Sequence, residues 1–167
     1  MDLSICGIGV KSFMQQLQVS SSQLLSLYQE LKQEISQHQN DYPLAEGLEA
    51  VFSQLHLSHR LYIFSSNKKE NIESYLDKFQ IKKYFQEVYE DNSYFDKAAG
   101  LQEILKINQI SPTNAFYFGD ETRDIEAANN LGINSVAVTW GYEGLTPLSR
   151  VKPSYVLRHP SEILTLA

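Results

Sequence analysis

The chain is short of what several function classes require. It has a single cysteine, Cys6, so no disulfide can close within it, and that usage suits a reducing compartment. A zinc cluster is disfavoured too. Of His38, His56, His59 and His159 only His56 and His59 are closely spaced, and neither has a cysteine or a third histidine beside it. That pair is expected at an exposed helix end. Positive charge is in deficit: 14 Lys and Arg stand against 20 Asp and Glu, a net charge of −6. Such a balance offers no electrostatic footprint for nucleic acid or an anionic membrane surface. The basic pairs Lys68-Lys69 and Lys82-Lys83 have acidic neighbours and read as solvated helix faces. No apolar run approaches membrane-spanning length. No positive segment precedes Ile5-Cys6-Gly7-Ile8, as a signal peptide would need. Internal repeats and low-complexity tracts are also missing. What remains is one domain's worth of chain, 167 residues with 43% apolar, expected in the cytoplasm with a core of its own.

Residues 1–10 carry Ile5, Ile8 and Val10, but Gly7 and Gly9 weaken helix and strand alike. From Lys11 the pattern is helical, with Phe13, Met14 and Leu17 on one side. Ser20-Ser21-Ser22 is a turn and N-cap, and Gln23 to Gln37 is a second helix burying Leu24, Leu25, Tyr28, Leu31 and Ile35. So much helix before a convincing strand is an unusual opening for an α/β domain. Residues 1–40 are therefore read as a helical cap remnant, and 41–167 as an α/β core.

After the turn Asn40-Asp41-Tyr42-Pro43 a third helix buries Leu44, Leu48, Val51, Phe52 and Leu55. Strands then alternate with helices. Strands are predicted at Leu61–Phe64, Glu87–Val88–Tyr89, Ala115–Phe118, Ser135–Val138 and Tyr155–Leu157. Helices are predicted over Lys68–Phe79, over Ala98–Ile107, from about Arg123, and at the end with Ser161 as cap. This alternation implies βαβ crossovers and a parallel sheet.

Three strand ends carry polar residues that folding alone does not require. Ala115-Phe116-Tyr117-Phe118 is a short buried strand, broken by Gly119 and followed by Asp120 and Asp124. Ligand crevices of open α/β sheets lie outside strand carboxyl ends, where two hard oxygen donors suit Mg²⁺. Acidic residues stabilising a helix N-terminus are the alternative. Ser65-Ser66-Asn67 follows Leu61–Phe64 and joins a hydroxyl to the free N–H groups of a starting helix, an anion site. Plain capping by Asn67 and Glu70 is compatible with it. Lys97 stands at the start of a helix, where a cation opposes the dipole unless an anion accompanies it. A surface lysine is the alternative there.

A hydroxyl, an ammonium and two carboxylates at successive strand ends resemble the haloacid dehalogenase (HAD) superfamily, specifically its phosphoglycolate-phosphatase-like members. Leu61-Tyr62-Ile63-Phe64-Ser65-Ser66-Asn67 is similar to the family's second motif, and Phe95-Asp96-Lys97-Ala98-Ala99 to its third. Phe118-Gly119-Asp120-Glu121-Thr122-Arg123-Asp124 matches the fourth, G-D-x-x-x-D. Ala127-Ala128, Leu131-Gly132-Ile133, Val136 to Tyr142 and Pro153 to Leu157 continue the likeness. The resemblance implies a Rossmannoid parallel sheet flanked by helices with a partial helical cap. It also implies a Mg²⁺-dependent phosphohydrolase acting on a small phosphorylated metabolite through an aspartyl-phosphate. By the same resemblance Ser65, Ser66 and Asn67 hold phosphate oxygens, Lys97 neutralises the phosphoryl group and the nucleophile, and Asp120 and Asp124 hold Mg²⁺.

One motif of the family is missing. Its Asp-x-Asp-Gly-Thr, with the nucleophile and the general acid/base, has no counterpart. Asp2, Asp41, Asp77, Asp91 and Asp96 each stand in the wrong setting. By the same resemblance, the absent piece is expected to be a central strand plus about one cap helix, on the order of 40 residues. The strands ending at Ser65 and Asp120 would then lack a middle partner. They must close on each other, recruit residues 1–10, or borrow a strand in a homo-oligomer or strand-exchanged dimer. As written, the chain is expected to be inactive as a phosphatase. A degenerate, non-catalytic phosphate- and Mg²⁺-binding relative, or one acting through a partner, is the competing reading. A receiver domain is set aside because its lysine would come last. Trp140-Gly141-Tyr142 is expected as a packed loop rather than a pocket rim.

Overall fold

The computed structural model describes Ser26, residues 42–91 and residues 96–166. The chain divides into two compact units, Met1–Pro43 and Leu44–Ala167, and the second carries the strands described here. Residues 1–10, the two helices expected before residue 40 and the side chains of Phe13, Met14 and Tyr28 lie outside the described residues.

Helix α1 (Leu48–Leu55) opens the second unit and turns Val51 inward. It starts later than the apolar stripe predicts, because Gly47 takes the left-handed conformation at φ 86° and sets the boundary. Strand β1 (Leu61–Ser65) leads to α2 (Lys69–Lys78), which buries Ile72 and Leu76 four residues apart on one face. Strand β2 (Phe85–Glu90) is longer than predicted. Helix α3 (Lys97–Ile107) begins at Lys97, with the Asp96 side chain accepting the Ala99 N–H at its N-cap. Strand β3 (Phe116–Gly119) feeds α4 (Thr122–Leu131), and β4 (Asn134–Val138) follows with four of its five residues buried. A short helix α5 (Leu145–Arg150), which the sequence pattern does not announce, comes before β5 (Tyr155–Leu157).

Two capping expectations are corrected. Asn67 and Glu70 form no capping box. The N-cap of α2 is Lys68, and the Lys69 N–H is taken by Glu90 Oε2 at 3.2 Å from the end of β2. The closing helix is a 3₁₀ segment, Pro160–Thr165, capped by His159 and not Ser161. Pro160 fixes the register there, because proline fits the first helical position and has no N–H to satisfy.

The strands form two parallel sheets, β1–β2 and β3–β4–β5. Strand β1 pairs with β2 on one edge, and β3 pairs with β4 on one edge. Neither has a ladder partner on its other edge among the described residues, so the two strands have not closed on each other. Between them lies a groove of about 100 Å³, lined by Leu61 of β1, by Phe116 and Phe118 of β3, and by Leu55, Ile163 and Leu166. Val51, Val136, Leu157 and Ile163 form one core cluster, with Trp140 packed against it. Ile72, Leu76, Ile81 and Val88 form a second, while Leu101, Ala127, Ala128 and Ile133 form a third against Phe64 and Tyr117. No helix among the described residues is long and apolar enough to cross a membrane.

Candidate active site

The site forms where β3 ends. Gly119 is required there by proximity rather than by its dihedrals: a Cβ on it would lie 2.3 Å from Asp124 Cβ. Only a residue without a side chain lets the first turn of α4 fold back over the strand end. That turn carries Asp124, whose Oδ2 accepts the Glu121 N–H at 3.3 Å in a reciprocal capping box with Glu121. The alternative role considered for Asp124, stabilising the helix N-terminus, is therefore realised, and it coexists with a second contact.

That second contact is Lys97. Its ammonium donates to Asp124 Oδ1, and the two side chains are only 10% and 6% exposed. Two residues 27 apart in sequence thus meet as a buried ion pair, which accounts for a lysine in the first turn of α3. The Lys97 Nζ also lies 5.6 Å from the Phe64 ring and 5.8 Å from the Tyr117 ring, in cation–π range. Phe64 belongs to β1 and Tyr117 to β3, so one ammonium spans the carboxyl ends of two strands that belong to different sheets. Desolvation, reinforced by the Asp124 and Asp91 carboxylates, pushes the Tyr117 phenol well above its usual range. It stays protonated.

Asp120, Glu121 and Asp124 offer carboxylate oxygens that all lie within 4.8 Å of one another. Asp120 is half-buried, and its Oδ2 accepts the Tyr142 N–H at 2.7 Å. Gly141 makes room for it, since a Cβ there would come within 2.1 Å of Asp120 Oδ2. Glu121 is further engaged by Arg123 Nη2 at 2.8 Å. Three clustered carboxylates, one of them buried, form a donor set that fits a hard divalent cation keeping part of its water shell.

Ser65, Ser66 and Asn67 are half-buried at the end of β1 and in the turn after it. Ser65 Oγ accepts the Asn67 N–H at 3.2 Å, while Asn67 Oδ1 accepts the Lys68 N–H at 2.8 Å. Phe64 brings this strand end to Lys97, but Ser65 makes no direct hydrogen bond to Lys97 or Asp124. The ion pair and the carboxylate cluster are brought into contact. The serine turn adjoins them through its neighbour.

Reading the residues alone missed Glu121 in the cluster. It also missed Glu143, whose Oε2 accepts the Thr122 N–H at 2.9 Å, and the burial of Asp91, 5% exposed at the end of β2. The adjacency of Glu121 to Asp120 was available as a signal; nothing near Glu143 in sequence pointed to Thr122. Trp140 packs in the core as expected, yet the same loop supplies the Gly141 and Tyr142 contacts to Asp120, so it is both packed and part of the site.

Comparison with known proteins shows the family and the fold. The family model described as haloacid dehalogenase-like hydrolase matches residues 3–138. A phosphoglycolate phosphatase from Synechococcus elongatus is 36% identical over 104 residues, covering 62% of this chain and 49% of that protein. The pyrophosphatase PpaX of Bacillus mycoides is 35% identical over 66 residues, covering 40% of this chain and 31% of its own. The chain thus spans about half the length, or less, of these curated relatives. Among solved structures, a haloacid dehalogenase-like hydrolase from Streptococcus pneumoniae superposes with a TM-score of 0.77 at 23% identity, covering 93% of this chain and 74% of that one. At that identity the likeness speaks to the fold.

Proposed function

The chain belongs to the haloacid dehalogenase-like hydrolase family, and from that premise we propose that it carries the phosphate- and Mg²⁺-binding half of a phosphohydrolase site for a small phosphorylated metabolite. The observation that carries this reading is the buried Lys97–Asp124 pair beside the Asp120–Glu121–Asp124 cluster. A cation and a cation-binding carboxylate set at one strand end are what a phosphoryl group and its metal need.

Asp120 and Asp124 hold Mg²⁺ in this reading, with Glu121 close enough to receive one of its waters. The metal, when bound, supplies charge neutralisation at the phosphoryl oxygens. Lys97 shares its charge between Asp124 and an incoming phosphate. Ser65 Oγ, together with the backbone N–H groups of Ser66 and Asn67, orients the phosphate oxygens that are not transferred. Phe64 and Tyr117 flank the ammonium with apolar surface and strengthen its field. Relatives named phosphoglycolate phosphatase and pyrophosphatase support a small phosphorylated substrate. The negative net charge supports a role without nucleic acid or membrane, and the lone cysteine supports a cytoplasmic location.

The 167-residue polypeptide contains no aspartate in the setting of a nucleophile, and covalent phosphoryl transfer cannot proceed without one. Binding without turnover is therefore expected of it. Titrating Mg²⁺ into ¹⁵N-labelled protein tests the pocket. The amides of Gly119, Asp120, Asp124 and Tyr142 are expected to shift, and Asp120→Ala to abolish the response. Shifts that bypass these residues would remove the metal assignment. Mg²⁺-dependent phosphate release from 2-phosphoglycolate or p-nitrophenyl phosphate by this chain would overturn the expected inactivity.

A further inference from the structure

Three consecutive residues of the loop between β4 and α5 grip the turn that carries Asp120. Gly141 lies against the Asp120 side chain closely enough that a Cβ would sit 2.1 Å from Oδ2 and 2.2 Å from Asp120 Cβ. The Tyr142 N–H donates to Asp120 Oδ2 at 2.7 Å. The Glu143 N–H donates to the Asp120 carbonyl at 3.0 Å. The Glu143 carboxylate then reaches across the turn, accepting the Thr122 N–H at 2.9 Å and the Thr122 hydroxyl at 3.4 Å. Behind these contacts Trp140 is anchored among Val51, Val136, Leu157 and Ile163, so the loop pulls from a fixed point.

We propose that Glu143 is a positioning residue for the metal carboxylates: it closes a clasp over Asp120–Glu121–Thr122 that fixes the aim of Asp120. Three observations distinguish this from ordinary packing. The carboxylate is spent on an N–H of the first turn of α4, a donor with no partner inside the helix. The clasp holds the turn from both sides, at the Asp120 carbonyl and at the Thr122 N–H. One carboxylate oxygen of Asp120 is occupied by the Tyr142 N–H, which restricts the side chain's rotation and leaves its other oxygen as the defined ligand. Groups that orient a ligand from behind in this way typically change metal affinity by about 10- to 100-fold when removed. Glu143 does not itself belong to the cluster that could hold the ion.

The inference rests on the metal reading of Asp120, and the test separates the two. Mn²⁺ binding to the full chain is followed by electron paramagnetic resonance, and hydrogen exchange of the Thr122 and Tyr142 amides is followed without metal. In Glu143→Ala both amides are expected to exchange faster while the helix cores keep their protection, and Mn²⁺ affinity is expected to fall by roughly tenfold or more. Glu143→Gln retains an acceptor for Thr122 and is expected to recover most of both. Unchanged exchange in Glu143→Ala would refute the clasp, whatever the metal does. Equal loss in Glu143→Gln and Glu143→Ala would refute it as well, by assigning the effect to charge alone. If Asp120→Ala binds Mn²⁺ as tightly as the unsubstituted chain, the metal reading itself falls and takes the positioning role with it. Should Glu143→Ala fail to fold, Thr122→Pro deletes the bonded N–H at a first helical position that tolerates proline, and exchange of the Tyr142 amide and Mn²⁺ affinity, both expected to change as in Glu143→Ala, are then the readouts.

Discussion

Between Lys97 and Asp124, burial decides the energetics. Both charges are nearly excluded from water, so the pair adds little over a well-packed apolar pair, but breaking it strands a charge. Lys97→Met is therefore expected to cost about 3–5 kcal/mol, measured by urea unfolding. A cost below 1 kcal/mol would mean that the contact is solvated. Gly141 makes a second prediction at this scale. A methyl group there collides with Asp120 Cβ and Oδ2, and overpacking of this kind costs about 1–3 kcal/mol. Gly141→Ala should lower the unfolding midpoint, and a neutral result would show that the loop yields freely. The residue types at these positions could be read in the sequence. That Lys97 pairs with Asp124 could not, because only the approach of α3 to α4 brings residues 27 positions apart together.

Helix α5 shows what an element owes to its surroundings. Its six residues contain Thr146 and Pro147 and no long apolar stripe, so local pattern does not reveal it. Leu148 nevertheless packs, fully buried, with Ile125 and Ala137. Tertiary contact makes the helix, as expected for one far shorter than an isolated helix can sustain. Leu148→Ala is expected to destabilise by about 2–5 kcal/mol in thermal or denaturant unfolding. The closing 3₁₀ segment depends instead on charge. The Glu162 carboxylate accepts the Arg158 N–H at 2.7 Å and the His159 N–H at 3.4 Å, which holds its pKa below the usual carboxylate range. A depressed pKa contributes stability above the ordinary carboxylate pKa and loses it as pH falls through the folded value. Glu162→Gln should therefore lower the melting temperature at pH 7, and the difference should vanish in acid. A gap independent of pH would assign the effect to packing.

For the whole molecule the decisive feature is the break between β1 and β3. Each of these strands has a free edge among the described residues. Phe116 and Phe118 are 40% and 38% exposed beside the groove. Free edges and exposed aromatic residues favour pairing with another chain. Light scattering is expected to give a mass above the 19.1 kDa of one chain, and Phe118→Lys is expected to reduce association. A strictly monomeric chain at high concentration would show that the edges are protected.

The sequence by itself determined the parallel α/β class, the order of its strands and helices, and the strand-end residues Ser65, Lys97, Asp120 and Asp124. Those follow from apolar periodicity and from polar residues placed where a strand stops, which are local properties of the chain. Among the described residues β1 and β3 belong to separate sheets, which the alternation of strands and helices did not reveal. Tertiary structure alone decided which of these residues touch. It buried the Lys97–Asp124 pair, drew Glu121 into the carboxylate cluster, and brought Gly141, Tyr142 and Glu143 onto Asp120 and Thr122. Apart from those of Glu121, these contacts join positions about twenty or more residues apart. Their energies depend on exclusion of water and on packing distance, and neither is written in the spacing of residues along a chain.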